Sequence, residues 1–314
     1  MRDETTIGLV GCGTMGRNHA RVVAESSAAH LAVVYDTNEI RAKEISQEFG
    51  GRASADVKDL QRCDAVIVAS PTETHAEIAT ALLEAGVPVL VEKPLAPTLD
   101  EAKRLVELAA GLDQVLMCGF VERFNPAFVA TMTMTSGSPL HLTCTRHSPA
   151  APRIQTHVVH DLLIHDIDLV LQLMGPDDSV VEVTGFTSDP LGRGVPDIAD
   201  CMIRFRSGTI ASLSASRATH RKVRHLAVND GDQLIDVDLL RQNVDVYRHV
   251  RHELVGSTPS YRAETVHDIP FVRRPGEPLA LQLEHFLRLL TGEADVEAER
   301  RRLLPAHEVA SALT

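Results

Sequence analysis

Thr6-Ile-Gly-Leu-Val-Gly11-Cys-Gly13-Thr14-Met15-Gly16-Arg-Asn-His19 decides the fold. The short β-branched and apolar run from Thr6 to Val10 predicts a buried strand, and it leads straight into Gly-x-Gly-x-x-Gly and a helix-compatible stretch. In that setting each glycine has its own reason. The first permits a tight strand-to-helix turn, the second lets the backbone approach a pyrophosphate, and the third lets helix and strand pack closely. Thr14 and Met15, at the start of the helix, offer backbone amides to the phosphates. A second apolar run, His30 to Tyr35, ends at Asp36, roughly where a ribose-binding carboxylate belongs in such a unit, about 20 residues on. A carboxylate accepts hydrogen bonds from a free ribose diol and repels a 2′-phosphate, so Asp36 favours NAD over NADP, with Arg41 nearby tempering the preference.

Outward from this unit, short apolar runs alternate with helical patterns as far as Gly119, which predicts a parallel sheet with crossover helices. Strands are expected at 65–69, 88–91 and 115–118, and helices at 74–85 and 99–110. Residues 1–120 thus read as a doubly wound Rossmann domain. Beyond them the runs are longer and alternate with period two, at 140–146, 180–186, 200–205, 209–216, 226–230 and 233–238. Turn signals at Ser207-Gly208 and Asp230-Gly231 separate several of them. The expectation is an α/β chain whose second domain, 121–314, is α+β with a large, mainly antiparallel open sheet. One apolar helix, 158–173, interrupts the strands and stops at Gly175-Pro176. Helices at 279–290 and 303–313 are expected to pack back on the first domain. The stretch 245–275 reads equally as strands or loop.

The whole-chain quantities narrow the function. At 314 residues with 44% apolar content, two packed cores are expected. A formal net charge of −12 disfavours nucleic acid as a partner. The cluster Arg217, Arg221, Lys222 and Arg224 reads as a solvated face. Five dispersed cysteines without a CxxC pair suggest reduced thiols rather than disulfides or zinc. With no apolar leader and no run of membrane-spanning length, a cytoplasmic protein without a membrane partner is expected.

Three short patterns carry the chemistry. Ser70-Pro71-Thr72-Glu-Thr-His75 follows a buried strand at its carboxyl end, where open α/β sheets bind ligands; it also reads as a helix cap by Thr72 or Thr74. Glu92-Lys93-Pro94 follows the next strand at the same edge. An ammonium there stabilises a developing alkoxide, or is a salt-bridged surface lysine. Pro94 fixes the backbone after it and could be cis, although the base rate favours trans. Asp161-Leu-Leu-Ile-His165-Asp-Ile-Asp168 places Asp161 and His165 four residues apart on one helix face. An imidazole near neutral pKa suits proton exchange with a hydroxyl while hydride leaves the same carbon, although a histidine among leucines is also a common core residue. His157, His160, Asp161, His165 and Asp168 permit a metal reading as well, but no second ligand cluster supports it and nicotinamide chemistry needs no metal.

Together these patterns resemble the glucose-fructose oxidoreductase, inositol dehydrogenase and rhizopine catabolism family, Gfo/Idh/MocA, along nearly the whole chain: Gly11 to Gly16 with His19, Ser-Pro-Thr-x-x-His at 70–75, Glu-Lys-Pro at 92–94 and Asp-x-x-x-His at 161–165. The resemblance implies that Lys93 and His165 flank the reacting hydroxyl, with Asp161 the accompanying carboxylate. One departure is His157-Val-Val-His160, where the family often has glycines. Gly119 to Pro126 and Pro152 to Ile154 look like the corresponding segments of nucleotide-sugar 3-dehydrogenases. Arg123, Asn125, Arg146 and Arg153 then become candidate contacts to sugar hydroxyls or phosphate, or surface residues of loops.

The expected function is an NAD-dependent oxidoreductase interconverting a secondary alcohol and a ketone on a sugar, cyclitol or nucleotide sugar. Gly11, Gly13, Thr14, Met15, Gly16, Asp36, Ser70, Pro71, Thr72, His75, Glu92 and Lys93 would line the cofactor. No metal is expected, and an open sheet face suggests a homo-oligomer, dimer or tetramer. The alternatives are an NAD-binding sensor without catalysis and a glycosidase-like family member that uses NAD transiently.

Overall fold

The computed structural model describes residues 4–150, 156–254 and 260–314. They form two compact units, one of Met1–Val121 with Gly276–Ser311 and one of Glu122–Pro275 with Ala312–Thr314.

In the first unit the strands form where apolar runs are buried, most completely at 65–68, 89–91 and 116–118, where every residue is inside. They are β1 (Thr5–Val10), β2 (Ala29–Tyr35), β3 (Arg52–Ser54), β4 (Ala65–Val68), β5 (Val89–Val91) and β6 (Leu116–Cys118). All neighbours run parallel in the order β3-β2-β1-β4-β5-β6. Crossover helices α1 (Thr14–Glu25), α2 (Glu39–Phe49), α3 (His75–Glu84) and α4 (Leu99–Gly111) connect them. A capping box between Thr98 and Glu101 starts α4, and the Asn38 side chain caps α2. The strand order reverses between β1 and β4, which is where such sheets open a ligand crevice.

The glycine turn lies at that reversal. Gly11 has φ +90°, and a Cβ there would lie 2.5 Å from the Ala69 carbonyl oxygen. A Cβ on Gly16 would lie 1.8 Å from the Gly11 carbonyl oxygen. A Cβ on Gly13 would meet nothing within 4 Å.

The second unit begins with α5 (Pro126–Met134), capped by Asn125 with proline in its first turn. Eight strands follow: β7 (His141–Pro149), β8 (Val180–Ser188), β9 (Ile198–Phe205), β10 (Ile210–Thr219), β11 (Val223–Asn229), β12 (Gln233–Asp238), β13 (Asn243–Leu254) and β14 (Ser260–Asp268). They lie in the order β14-β13-β12-β11-β7-β10-β9-β8, with β7 and β10 parallel and the other neighbours antiparallel. The ambiguous stretch beyond residue 245 is therefore largely the β13–β14 hairpin. Period-two alternation buries Leu142, Cys144, Ala211, Leu213, Ile235 and Val237 on one face. Thr143, Ser212 and the exposed Met202 lie on the other. The expected helix from residue 158 opens as a π-helical turn, Val159–Leu163, and continues as α6 (Ile164–Met174) on the buried face.

Three further helices, α7 (Pro278–Leu290), α8 (Val296–Arg301) and α9 (Pro305–Ser311), belong to the first unit, where α7 packs on α1 and α9 on α4. No helix among the described residues is long and apolar enough to cross a membrane.

The glycine geometry predicts opposite outcomes for two like substitutions. Gly16→Ala should cost roughly 3 kcal/mol because backbone has to move, whereas Gly13→Ala should stay within about 0.5 kcal/mol. Calorimetric melting of both variants checks this, and a Gly16→Ala protein that melts like the wild type contradicts it.

Candidate functional site

In the first unit the carboxyl ends of the strands gather the sequence-predicted residues. The parallel ladder continues past the strands through Gly11 N–H to Tyr35 O (2.9 Å), Ala69 N–H to Val10 O (2.8 Å), Glu92 N–H to Val68 O (2.9 Å) and Gly119 N–H to Val91 O (2.8 Å). Gly11, Ala69, Glu92 and Gly119 therefore share one sheet edge. Asp36 sits at the same edge. Its Oδ2 accepts from Cys12 N–H at 2.7 Å and its Oδ1 from Asn38 N–H at 2.7 Å, which fixes the carboxylate while each oxygen keeps a lone pair for a further donor. Burial and the Asp36 carboxylate push the Cys12 thiol up to about 12, so this turn carries no thiolate to repel an anion.

The residues after β4 and β5 are tied together. The His75 ring, almost fully buried, lies 2.9 Å from both the Ser70 and the Pro94 carbonyl oxygens. Ser70 and Thr74 pair through their hydroxyls at 2.7 Å, and Thr74 donates to Pro71 O at 2.8 Å. The expected side-chain cap by Thr72 or Thr74 is not formed; a 3-10 turn, Thr72–Thr74, leads into α3 instead. The Lys93–Pro94 bond is cis. Behind it, Leu95 N–H donates to Nε2 of His307 on α9 at 2.9 Å. Glu92 is buried, with Oε1 2.7 Å from Nε2 of His19 on α1. Its carboxyl fits because Gly119 has no side chain: a Cβ there would lie 2.9 Å from it. Lys93, half-buried, thus stands on a turn held from three directions.

These features fit a dinucleotide. A pyrophosphate could approach the backbone in the open space at Gly13, beside the amino end of α1, and Asp36 is fixed where it could hold a ribose diol.

In the second unit Asp161 lies in the π-helical turn and His165 in the first turn of α6, both half-buried. Among the described residues no group of three or more His, Cys, Asp or Glu is placed to hold a metal. Two buried ionic clamps fix α6. Arg123 donates from Nε and Nη2 to the two oxygens of Asp168 at 2.8 and 2.6 Å. Arg146 donates from Nε and Nη2 to Asp166 at 3.0 and 2.7 Å and from Nη1 to Glu122 at 2.9 Å. Arg224 adds a third guanidinium, reaching Glu122 at 2.9 Å. Burial tends to push the Glu122 carboxyl up, but Arg146 and Arg224 outweigh it and hold it below the usual range. For Asp166 burial prevails and the carboxyl is raised.

This corrects part of the sequence reading. Arg146 is 2% exposed and committed to internal carboxylates, so it is not an open clamp for phosphate. Arg123 is committed to Asp168, and Asn125 is buried, capping α5 and donating to Glu122 and Leu239 O. Arg153 lies outside the described residues. Arg217, expected on a solvated face, is 1% exposed and bonded to Asp161, while Arg221 and Lys222 are exposed. Alternation signals the inward direction of Arg217, which continues the buried row Ala211, Leu213, Ala215.

The clamps predict a steep contrast. Asp168→Ala should cost about 3–5 kcal/mol, because it leaves a buried guanidinium without its carboxylate. Asp238→Ala, which removes a half-buried partner of the exposed Arg241, mainly tests surface ion pairing and the local turn and should cost about 1 kcal/mol. Urea unfolding followed by circular dichroism measures both, and equal losses contradict the distinction.

Comparison with known proteins identifies the family and the fold. Residues 5–120 match the oxidoreductase family with an NAD-binding Rossmann fold, and residues 137–231 match the Gfo/Idh/MocA C-terminal domain. The chain is 32% identical over 308 residues to UDP-N-acetylglucosamine 3-dehydrogenase of Acidithiobacillus ferrooxidans, spanning 96% of this chain and 95% of that enzyme. It is 32% identical over 247 residues to myo-inositol 2-dehydrogenase of Thermotoga maritima, spanning 74% and 72%. A solved structure of the Acidithiobacillus ferrooxidans enzyme, GnnA, superposes with TM-score 0.84, covering 99% of this chain and 97% of that one. The chain therefore belongs to the Gfo/Idh/MocA oxidoreductases, a family of NAD-binding dehydrogenases that act on sugars, nucleotide sugars and inositols.

Proposed function

We propose that the protein is an NAD-dependent dehydrogenase that oxidises a ring hydroxyl of a nucleotide sugar to the ketone, with UDP-N-acetylglucosamine the first candidate. The likeness to a UDP-N-acetylglucosamine 3-dehydrogenase along nearly the full length of both chains carries this reading. Lys93 and His165 act at the reacting carbon, and Asp161 is the accompanying carboxylate. When bound, NAD accepts the hydride. Lys93 holds an ammonium on a turn fixed by Glu92, His75 and His307, and its charge stabilises the alkoxide as it forms. His165 takes the hydroxyl proton and returns it in the reverse direction. Asp161 orients the imidazole or holds a neighbouring hydroxyl of the sugar. Asp36 gives the preference for NAD, because a 2′-phosphate would meet a carboxylate already fixed by two amides.

The test is formation of NADH with UDP-N-acetylglucosamine, compared with N-acetylglucosamine and myo-inositol. The nucleotide sugar should give the highest kcat/KM, and Arg153→Ala should remove most of its advantage over the neutral sugar. Equal kcat/KM for phosphorylated and neutral sugars, or a higher value for myo-inositol, would replace the nucleotide sugar by a cyclitol or free sugar. Lys93→Ala and His165→Ala should each lower kcat by about 10²-fold or more with NAD affinity nearly unchanged.

Cofactor choice has its own check. NAD should bind more tightly than NADP, and Asp36→Ala should narrow the gap; a wild-type protein that prefers NADP refutes the assignment. Gly13→Ala, folded normally, should bind NAD more weakly than the wild type.

A further inference from the structure

The guanidinium of Arg217 is used differently from those of the two clamps on α6. In the clamps both ends of every short contact to Asp166 and Asp168 are buried, the four side chains being 2–8% exposed. Arg217, at the end of β10, is 1% exposed and faces three partners: Asp197 Oδ1 at 3.2 Å from Nε, Pro196 O at 3.0 Å from Nη2, and Asp161 Oδ2 at 3.3 Å from Nη1. Asp197 is fully buried, but the Asp161 side chain is 21% exposed. Asp161 is thus the one of the three charged groups that solvent, or a ligand, can reach.

The backbone holds this geometry. Arg217 N–H donates to Asp197 O at 2.8 Å, and Pro196 O also accepts from Val158 N–H at 3.2 Å, at the entrance to the π-helical turn. Arg193 stands behind Asp197 at 3.6 Å. Burial, with the nearby Arg217 cation, holds the His157 imidazole below its ordinary range, so the positive field of Arg217 reaches this segment. Burying such a group for stability alone is a poor trade, since an apolar side chain of similar volume often does as well or better.

We propose that Arg217, anchored by Asp197, is a positioning residue for Asp161: it fixes the direction of that carboxylate for contact with the substrate. The inference rests on the reading of Asp161 as a substrate-contacting carboxylate. The extended guanidinium hydrogen-bonds Asp161 from Nη1 while its Nε stays in charge contact with Asp197, whereas a compact ammonium at the same place cannot span both.

The test is a double-mutant cycle of Arg217→Lys and Asp161→Asn, read as kcat, KM and melting temperature with NAD and whichever of UDP-N-acetylglucosamine and myo-inositol the wild type oxidises. Arg217→Lys should lower kcat about tenfold while the KM for NAD stays near the wild-type value. In the Asp161→Asn background the same change should alter kcat by less than about twofold, because the group it acts through is already gone. A purely structural staple would lower kcat by the same factor in both backgrounds, and that result overturns the proposal. Full turnover by Asp161→Asn alone would instead overturn the reading of Asp161. Should Arg217→Lys fail to fold, Asp197→Asn tests the same link from its other end, with the same non-additivity expected.

Discussion

No side chain fits between Gly16 and the carbonyl of Gly11, and much of the first unit follows from that close approach. It seats the amino end of α1 against the turn after β1, where no side chain caps its first amides. The same helix carries His19, whose ring meets the buried carboxyl of Glu92. Glu92 precedes Lys93, so the helix that starts at the glycine turn also holds the turn that carries the lysine. Gly119 completes this arrangement from β6, leaving the space that the Glu92 carboxyl occupies. A missing side chain thus makes room at Gly11, Gly16 and Gly119, for the Ala69 carbonyl, the Gly11 carbonyl and the Glu92 carboxyl respectively.

The second unit solves a different problem, which is to fix one helix against a sheet whose buried face includes charge. Arg146 and Arg217 are the largest fully buried side chains among its described residues. Each would be costly alone; Arg146 is hydrogen-bonded to Asp166 and Glu122, and Arg217 to Pro196 O and Asp161, with Asp197 in charge contact at 3.2 Å. The acids on α6, Asp166 and Asp168, lie one and three residues after His165. The clamps therefore set the rotation and register of the turn that carries the imidazole. Apolar packing alone would leave that turn freer to slide, because it is non-directional.

The sequence was most legible where burial is two-sided and geometry is strict. The short β-branched runs of the parallel sheet and the glycine spacing left few alternatives. It was least legible where charge misleads. Arg146 and Arg217 read as exposed or ligand-facing because arginine is seldom buried, although Leu142, Cys144, Arg146 and Ala211, Leu213, Ala215, Arg217 each continue an inward row. Helix α5 lacked a clear 3.6-residue face, and its Asn125-Pro126 start was read as a substrate segment rather than as a cap and first turn. Helix α8 spans only six residues. The π-helical turn at Asp161 leaves no mark on periodicity. In the β13–β14 hairpin polar residues occupy both faces, so alternation blurs.

The most direct measurement follows one atom. UDP-N-acetylglucosamine carrying deuterium on the sugar's carbon 3 is incubated with the protein and NAD, and both products are weighed by mass spectrometry. Oxidation at that carbon predicts a reduced dinucleotide that has gained the deuterium and a keto sugar that has lost it. Reduced dinucleotide without the label, or label retained in an oxidised sugar, would contradict hydride transfer from that position.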